Sequence, residues 1–289
     1  MNTIYHFSGA GNDFVVIDGR EGDVSAFREV SRIQALCKEH KTDGLMILGQ
    51  EMPGQAGHDG DVKDVMADPD RPSVDFTMEF YNPDGSGGMM CGNGGRCIVA
   101  FADYLGIKPA DGRVFLFRAP DGLHTGEILA RPEDGLWEVR IKMIDVQGIT
   151  PMLGGYFLNT GTRHFVKFVE DVEKVDIDTE GKALRWNEAF APVGTNVNFV
   201  HVAPDGLHVR TFEKGVEGET LACGTGLTAS AIAAYGISGF RPSDSARKDS
   251  VSYRLRARRD WLSVDFIPGP DDKFRQVYLT GPAQLVEVI

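Results

Sequence analysis

Met90-Cys91-Gly92-Asn93-Gly94 and Ala222-Cys223-Gly224-Thr225-Gly226 say nearly the same thing twice within one chain of 289 residues. In each, a single cysteine stands just before a Gly-x-Gly turn that opens an apolar segment of helical character. The match extends upstream, because Phe80 precedes Cys91 by eleven positions and Phe212 precedes Cys223 by the same eleven. A lone cysteine before glycines is usually a small buried side chain. Two in one register point to a duplicated unit that brings two thiols to one site.

The flanking sequence supports a repeated plan. Thr3 to Phe7 and Phe14 to Asp18 read as strands around the turn Gly9-Ala10-Gly11-Asn12-Asp13, and Phe157 to Val166 has the same strand, glycine turn and Phe-Val pattern. A helix is expected from about Val24 to His40, then a strand at Gly44 to Leu48. Val74 to Tyr81 alternates Phe76, Met78 and Phe80, a strand leading to the first cysteine turn, with a helix from Arg96 to Leu105 stopped by Gly106. Leu207 to Phe212 leads likewise to the second turn and an alanine-rich helix over Leu227 to Tyr235. Strand-like pieces follow Gly106 at 114–117, 127–130 and 137–143, and a last pair falls near 275–280 and 284–289. Gln50 to Ser73, rich in Gly, Pro and Asp, reads as an exposed loop without chemistry. The expected fold class is therefore α/β with mixed sheets: two pseudo-symmetric lobes, each a sheet wrapped around a central helix, with a ligand in the cleft between them. The lobes are drawn at 1–118, completed by a terminal strand at about 281–289, and at 119–280.

Composition narrows the class. With 42% hydrophobic and 25% charged residues, this is ordinary globular protein. A net charge of −12 argues against nucleic acid, which is bound through clustered cations. The run Arg254, Arg256, Arg258 and Arg259 alternates with Val251, Tyr253, Leu255 and Ala257, so it reads as the solvated face of a strand. No apolar run approaches the ~18 residues of a membrane span, and Met1-Asn2-Thr3-Ile4-Tyr5 does not read as a signal peptide, so a cytoplasmic location is expected. Four cysteines in a chain this long make no disulfide framework, and none has C-x-x-C spacing. A zinc site is not expected. Cys37 and Cys97 read as core residues of their helices.

The turns explain themselves chemically. A Gly-x-Gly turn at a helix start leaves several N–H groups pointing outward, an anion site suited to a carboxylate or phosphate. A cysteine there can have its pKa lowered from ~8.5 to ~3.5–7.5. A thiolate on one face of a carbon acid and a thiol on the other form a base and an acid that invert the centre. Preorganised donors worth roughly 3–4 kcal/mol each would stabilise the developing charge, so no pyridoxal cofactor is required. A dinucleotide site competes weakly: Gly224-Thr225-Gly226-Leu227-Thr228-Ala229 fits G-x-G-x-x-A and Asp244 lies twenty positions on, but Asp244 reads as loop.

These residues resemble the diaminopimelate epimerases, cofactor-independent amino-acid epimerases of lysine and cell-wall precursor synthesis. The resemblance rests on Gly9 to Phe14, Asn82 to Ser86 with Met90 to Cys97, Gly194 to Phe199, and Gly218 to Gly226, in that order. It implies that Cys91 and Cys223 are the catalytic pair and that Gly92, Asn93, Gly224 and Thr225 hold the reacting carboxylate. It further implies that Asn12, Asn82 and Asn196 contact a small amino-acid substrate, and that His164 and Glu213 tune the sulfurs and orient substrate. The resemblance implies no cofactor and no metal, and leaves a homodimer open.

Departures from that pattern bear on the substrate's distal end. Glu213-Lys214-Gly215 stands where Glu-Arg-Gly is usual, and lysine lacks the two-pronged geometry of arginine. Gly161-Thr162-Arg163-His164 stands for Gly-Asn-Pro-His, so Arg163 is a candidate replacement for the missing fork. His6 stands for a lysine, Gly44 for a glutamine of some members, and Val216-Glu217-Gly218 is one residue longer. Two alternatives follow: a two-thiol racemase of another amino acid such as histidine, and, in another class, a redox-sensing or non-catalytic thiol protein. Two sulfurs facing one carbon should also oxidise to a disulfide, so activity should need a reducing agent.

Overall fold

The computed structural model describes residues 2–50, 74–88, 90–236, 243–244 and 249–289. The loop expected at 50–73 lies, from residue 51 on, outside the described residues. By contacts the chain divides into one unit of residues 1–141 with 281–289, and another of residues 142–280.

The first unit holds β1 (Ile4–Gly9), β2 (Asn12–Asp18), α1 (Val30–His40), β3 (Gly44–Gly49), β4 (Phe76–Tyr81), α2 (Gly92–Tyr104), β5 (Val114–Ala119), β6 (Gly122–Glu133) and β7 (Leu136–Lys142). Strands β1 and β2 are antiparallel, β2 and β3 parallel, β3 and β4 antiparallel, β4 and β5 parallel, and β5 to β7 a meander. Residues 281–284 then pair with β7 and residues 284–288 with β1, which closes the ladder on itself. The interior is α2. Every residue from Asn93 to Ala102 is buried, because strands surround the helix instead of leaving it a wet face. Val15, Ile17, Leu45 and Ile47 send their side chains the other way, onto Ile33, Leu36 and Cys37 of α1. Sandwiched between two helices, β3 is apolar throughout instead of alternating.

The second unit holds β8 (Thr150–Met152), β9 (Gly155–Asn159), β10 (Arg163–Phe168), the short α3 (Lys182–Arg185), β11 (Asn196–Ala203), β12 (Gly206–Glu213), β13 (Gly218–Thr220), α4 (Gly224–Tyr235), β14 (Ser243–Asp244), β15 (Val251–Arg256) and β16 (Trp261–Pro268). It ends with residues 274–280 of β17 (Phe274–Val288). Its pairings repeat the first unit's order: β9 and β10 antiparallel, β10 and β11 parallel, β11 and β12 antiparallel, β12 and β15 parallel, then β15, β16 and β17 antiparallel. The central helix is α4, apolar on all sides and buried along nearly its whole length. The duplication announced by the two cysteine turns therefore extends through strand order, and the fold is mixed α/β as expected.

Several boundaries differ from the sequence reading. Strands β6 and β7, assigned there to the second lobe, pair within the first unit, since β5, β6 and β7 form one meander. The last two strands are one continuous β17, because Pro282, which has no N–H to donate, is paired opposite Glu138 without interrupting it. Both central helices start at the glycine after the cysteine, at Gly92 and Gly224, so the Gly-x-Gly turn is itself the first helical turn. The expected helix from Val24 divides into a 3-10 turn at Ser25–Arg28 and α1. Asp244, read as loop, lies in the two-residue strand β14. The arginine run behaves as read: Tyr253 and Leu255 are buried and Arg254 and Arg256 exposed.

Candidate active site

In the first unit Cys91 is the N-cap of α2, in extended conformation (φ −90°, ψ 137°), and is half-buried. The helical ladder begins with Gly95 N–H donating to the Cys91 carbonyl at 2.7 Å, which leaves the N–H groups of Gly92, Asn93 and Gly94 ahead of it. The side chain of Asn93 is buried, and its Nδ2 donates to Asn12 Oδ1 at the start of β2. Asn12 Nδ2 donates in turn to Asp43 Oδ2 at 3.2 Å, and the same oxygen accepts Asp13 N–H at 2.9 Å. Arg96, one turn into the helix, is fully buried. Its Nη2 donates to Asn93 Oδ1 at 2.8 Å, its Nη1 to the Gly92 carbonyl at 3.3 Å and its Nε to the Pro282 carbonyl at 3.3 Å. Asn82 lies in the turn after β4, where its Nδ2 donates to Ser86 Oγ at 3.0 Å. His6 on β1 lies between the carboxylates of Asp13 (3.9 Å) and Glu287 (3.5 Å).

In the second unit Cys223 caps α4 in the same way (φ −116°, ψ 106°) and is 8% exposed. Leu227 N–H donates to its carbonyl at 2.8 Å. Cys223 Sγ lies 3.4 Å from Thr225 Oγ1, and Thr225 Oγ1 lies 2.9 Å from His164 Nε2. His164 on β10 is completely buried, and that burial, with the nearby cation of Lys214, holds its pKa down at about 3. At neutral pH the ring is therefore an uncharged imidazole. Glu213, at the end of β12, accepts from Thr220 Oγ1 at 2.8 Å across the β12–β13 pairing. That hairpin is pinned by the two-pronged contact of Arg210 with Glu219, both bonds 2.7 Å.

Asn196 uses both ends of its amide inside the protein. Its Oδ1 accepts Lys214 N–H at 2.8 Å and its Nδ2 donates to the Arg163 carbonyl at 2.8 Å, so one side chain fixes both turns that carry the unusual residues. Arg163 shares a strand face with Phe165, which packs against Val197, Phe199 and Phe212, whereas His164 faces α4. The arginine therefore leaves the sheet on the side away from Cys223, which weighs against its serving as the missing fork.

Four positions carry the site's support without having been singled out from sequence: Arg96, Asp43, Asn198 and Thr160. Thr160 Oγ1 donates to the Thr225 carbonyl at 2.9 Å. Asn198 lies two residues beyond Asn196 on β11, and its Nδ2 meets His164 Nδ1 at 3.0 Å. A polar residue on the buried phase of an apolar strand was the available signal. Cys37 and Cys97 are buried, and burial pushes both thiols up. All four cysteines are free thiols. Among the described residues, no cluster of His, Cys, Asp or Glu is placed to hold a metal ion, and no helix is long and apolar enough to cross a membrane.

The chain is similar to known proteins in sequence and in fold. Residues 156–251 match the family profile described as diaminopimelate epimerase. The diaminopimelate epimerase of Aquifex aeolicus is 37% identical, over 96% of this chain and 93% of that one. That of Flavobacterium psychrophilum is 33% identical, over 98% and 97%. In fold the chain is similar to a solved phenazine biosynthesis protein of the PhzF family from Bacillus anthracis (TM-score 0.70, 11% identity, 100% of this chain and 98% of that one). It is also similar to a probable proline racemase from Agrobacterium radiobacter (TM-score 0.63, 13% identity, 100% and 92%). With relatives this similar over nearly its whole length, the chain belongs to the diaminopimelate epimerase family of isomerases.

Proposed function

We propose that this epimerase interconverts LL- and meso-diaminopimelate with Cys91 and Cys223 as a thiolate and thiol pair, without a cofactor, in the supply of lysine and cell-wall precursors. The observation that carries the reading is the repeat itself: two buried helices, each opened by a cysteine and a Gly-x-Gly first turn. One sulfur, as thiolate, takes the α-proton. The electron pair left on carbon delocalises into the carboxylate, where N–H groups of the first helical turns meet the growing charge. The other sulfur, as thiol, returns a proton to the opposite face. The centre is inverted and the two sulfurs have exchanged protonation states, so the enzyme is ready for the reverse isomer. Asn12, Asn82, Asn196, Glu213 and Lys214 orient the substrate on this reading, and the lysine at 214 reads the distal carboxylate as a point charge.

The test is deuterium uptake at the α-carbon in heavy water, with diaminopimelate, histidine and other amino acids offered in parallel. Wild type should exchange and epimerise diaminopimelate fastest, and Cys91→Ala and Cys223→Ala should each lose about 10²–10⁴-fold in epimerisation. Faster exchange on another amino acid overturns the substrate. Intact exchange in both variants overturns the two-thiol mechanism and leaves a non-catalytic or redox role. Mild oxidation that joins Cys91 to Cys223, confirmed by mass, should abolish activity until reduced.

A further inference from the structure

Asn198 is fully buried on β11, and its amide is oriented by partners with fixed roles. The Phe165 carbonyl, 3.2 Å from Nδ2, can only accept, so the nitrogen end faces both it and His164. At the other end Thr211 Oγ1 donates to Asn198 Oδ1 at 2.9 Å. The amide nitrogen therefore donates to His164 Nδ1 at 3.0 Å, which must be the ring's lone-pair nitrogen. A neutral imidazole in that state carries its proton on Nε2 and gives it to Thr225 Oγ1 at 2.9 Å. The Thr225 hydroxyl has then accepted one bond, and its own proton is directed to Cys223 Sγ at 3.4 Å. Gly226 leaves the room for this chain, since a Cβ there would lie 2.3 Å from Asn198 Oδ1.

We infer that Asn198 is a positioning residue: by fixing the tautomer of His164 it turns the Thr225 hydroxyl proton toward the Cys223 sulfur and favours the thiolate at that cysteine. Reversing the tautomer reverses the chain. With the proton on Nδ1, Nε2 becomes an acceptor, takes the Thr225 hydroxyl proton, and the sulfur loses its donor. The inference deepens the two-thiol reading and rests on it only for the use made of the thiolate; the chain of donors stands on the geometry alone. Other charged groups on the elements packed at this end of α4 are Arg163 on β10, Glu213 and Lys214 at the end of β12, and Arg258 after β15, the last engaged by Glu173 and Glu219. None is altered by the variants below.

The test is a pH titration of the intact protein with ¹³Cβ-labelled cysteine, read by NMR at each cysteine, with ¹⁵N shifts of His164 reporting its tautomer. Asn198→Asp replaces the donor by an acceptor and should move the His164 proton to Nδ1. Thr225→Val removes the relay hydroxyl, and Thr225→Ser restores it. In Asn198→Asp and Thr225→Val the Cys223 midpoint should rise by about one pH unit, a tenfold loss of thiolate at neutral pH, with the Cys91 midpoint unmoved. Thr225→Ser should keep the wild-type midpoint. A His164 proton found on Nδ1 in wild type, or an unmoved Cys223 midpoint in Thr225→Val, overturns the inference. If Asn198→Asp does not fold, the wild-type tautomer and the Thr225 pair decide it. None of these readings uses a substrate, so failure of the exchange assay and failure of the relay are separate outcomes.

Discussion

At the start of α2 the residue two places after the cysteine is Asn93, and a buried guanidinium grips its amide. At the start of α4 the matching residue is Thr225, and a neutral imidazole grips its hydroxyl. The two turns share backbone conformation, first hydrogen bond and glycine spacing, yet one is supported by a cation and the other by an uncharged relay. Duplication thus supplied the same helix-opening backbone twice, and the side chains beneath it diverged. On the proposed two-thiol mechanism the sulfurs hold different protonation states at any moment, and surroundings that are not alike would favour that.

The largest effect expected from breaking the comparison is at the fifth residue after each cysteine. Arg96 Nη1 donates to the carbonyl of Gly92, and Thr228 Oγ1 donates to the equivalent carbonyl of Gly224 at 3.0 Å. Both side chains are buried, but Arg96 also serves Asn93 and the Pro282 carbonyl of β17. Arg96→Leu removes three hydrogen bonds, one to the buried Asn93 Oδ1 and two to the half-buried carbonyls of Gly92 and Pro282, and should cost about 3–5 kcal/mol. Thr228→Val loses one bond to a carbonyl already inside a helix and should cost about 1 kcal/mol. Urea unfolding of both variants measures the contrast, and equal losses would mean the guanidinium is not the first turn's anchor.

Next in size is the pH dependence that the neutral relay imposes. The folded pKa of His164, about 3, lies below the ~6.5 of an unfolded histidine, so the unfolded state binds the extra proton first. Stability should therefore fall as pH drops below about 6.5, by up to ~1.4 kcal/mol per pH unit, until His164 protonates in the folded state. Half-buried acids paired with arginine, such as Glu79 with Arg28, have folded pKa values held down and lose their contribution only below the ordinary carboxylate range. The histidine's window opens first, and the two overlap only below about pH 4.5. Subtracting the stability curve of His164→Gln from that of wild type should isolate the upper window, and a flat difference between pH 6.5 and 4.5 would show that the ring is not neutral in the fold.

Much of this was legible in the chain. The repeat was visible because a cysteine, two glycines and an upstream phenylalanine recur at fixed spacing, and helix starts and alternating strands obey local rules. The partners of the turns were not visible, because they come from distant strands: His164 meets a residue sixty-one positions away and Asn198 one thirty-four away. Arg96 and Asn198 were passed over for a further reason. Each sits in an apolar segment where pattern reading expects polar side chains to face water, and only the assembled core shows that they face inward. The continuity of β17 was hidden by Gly281-Pro282, a pair that reads as a break unless the strand beside it is known.

The smallest expected effect sharpens the comparison at the glycines themselves. A Cβ on Gly226 would lie 2.3 Å from Asn198 Oδ1, an atom held by Thr211 and unable to move without releasing His164. A Cβ on Gly94, the matching glycine of α2, would meet Met46 Sδ at 3.2 Å and Met78 Cε at 3.6 Å, the ends of flexible side chains. Gly226→Ala should therefore destabilise by about 2 kcal/mol through overpacking, while Gly94→Ala should come within about 1 kcal/mol of wild type, the helix propensity of alanine offsetting the crowding. Denaturant midpoints measure both. If the two alanines cost the same, the second glycine of each turn is there for an approaching ligand alone; if only Gly226→Ala is costly, that glycine is also there to admit the amide that orients the relay.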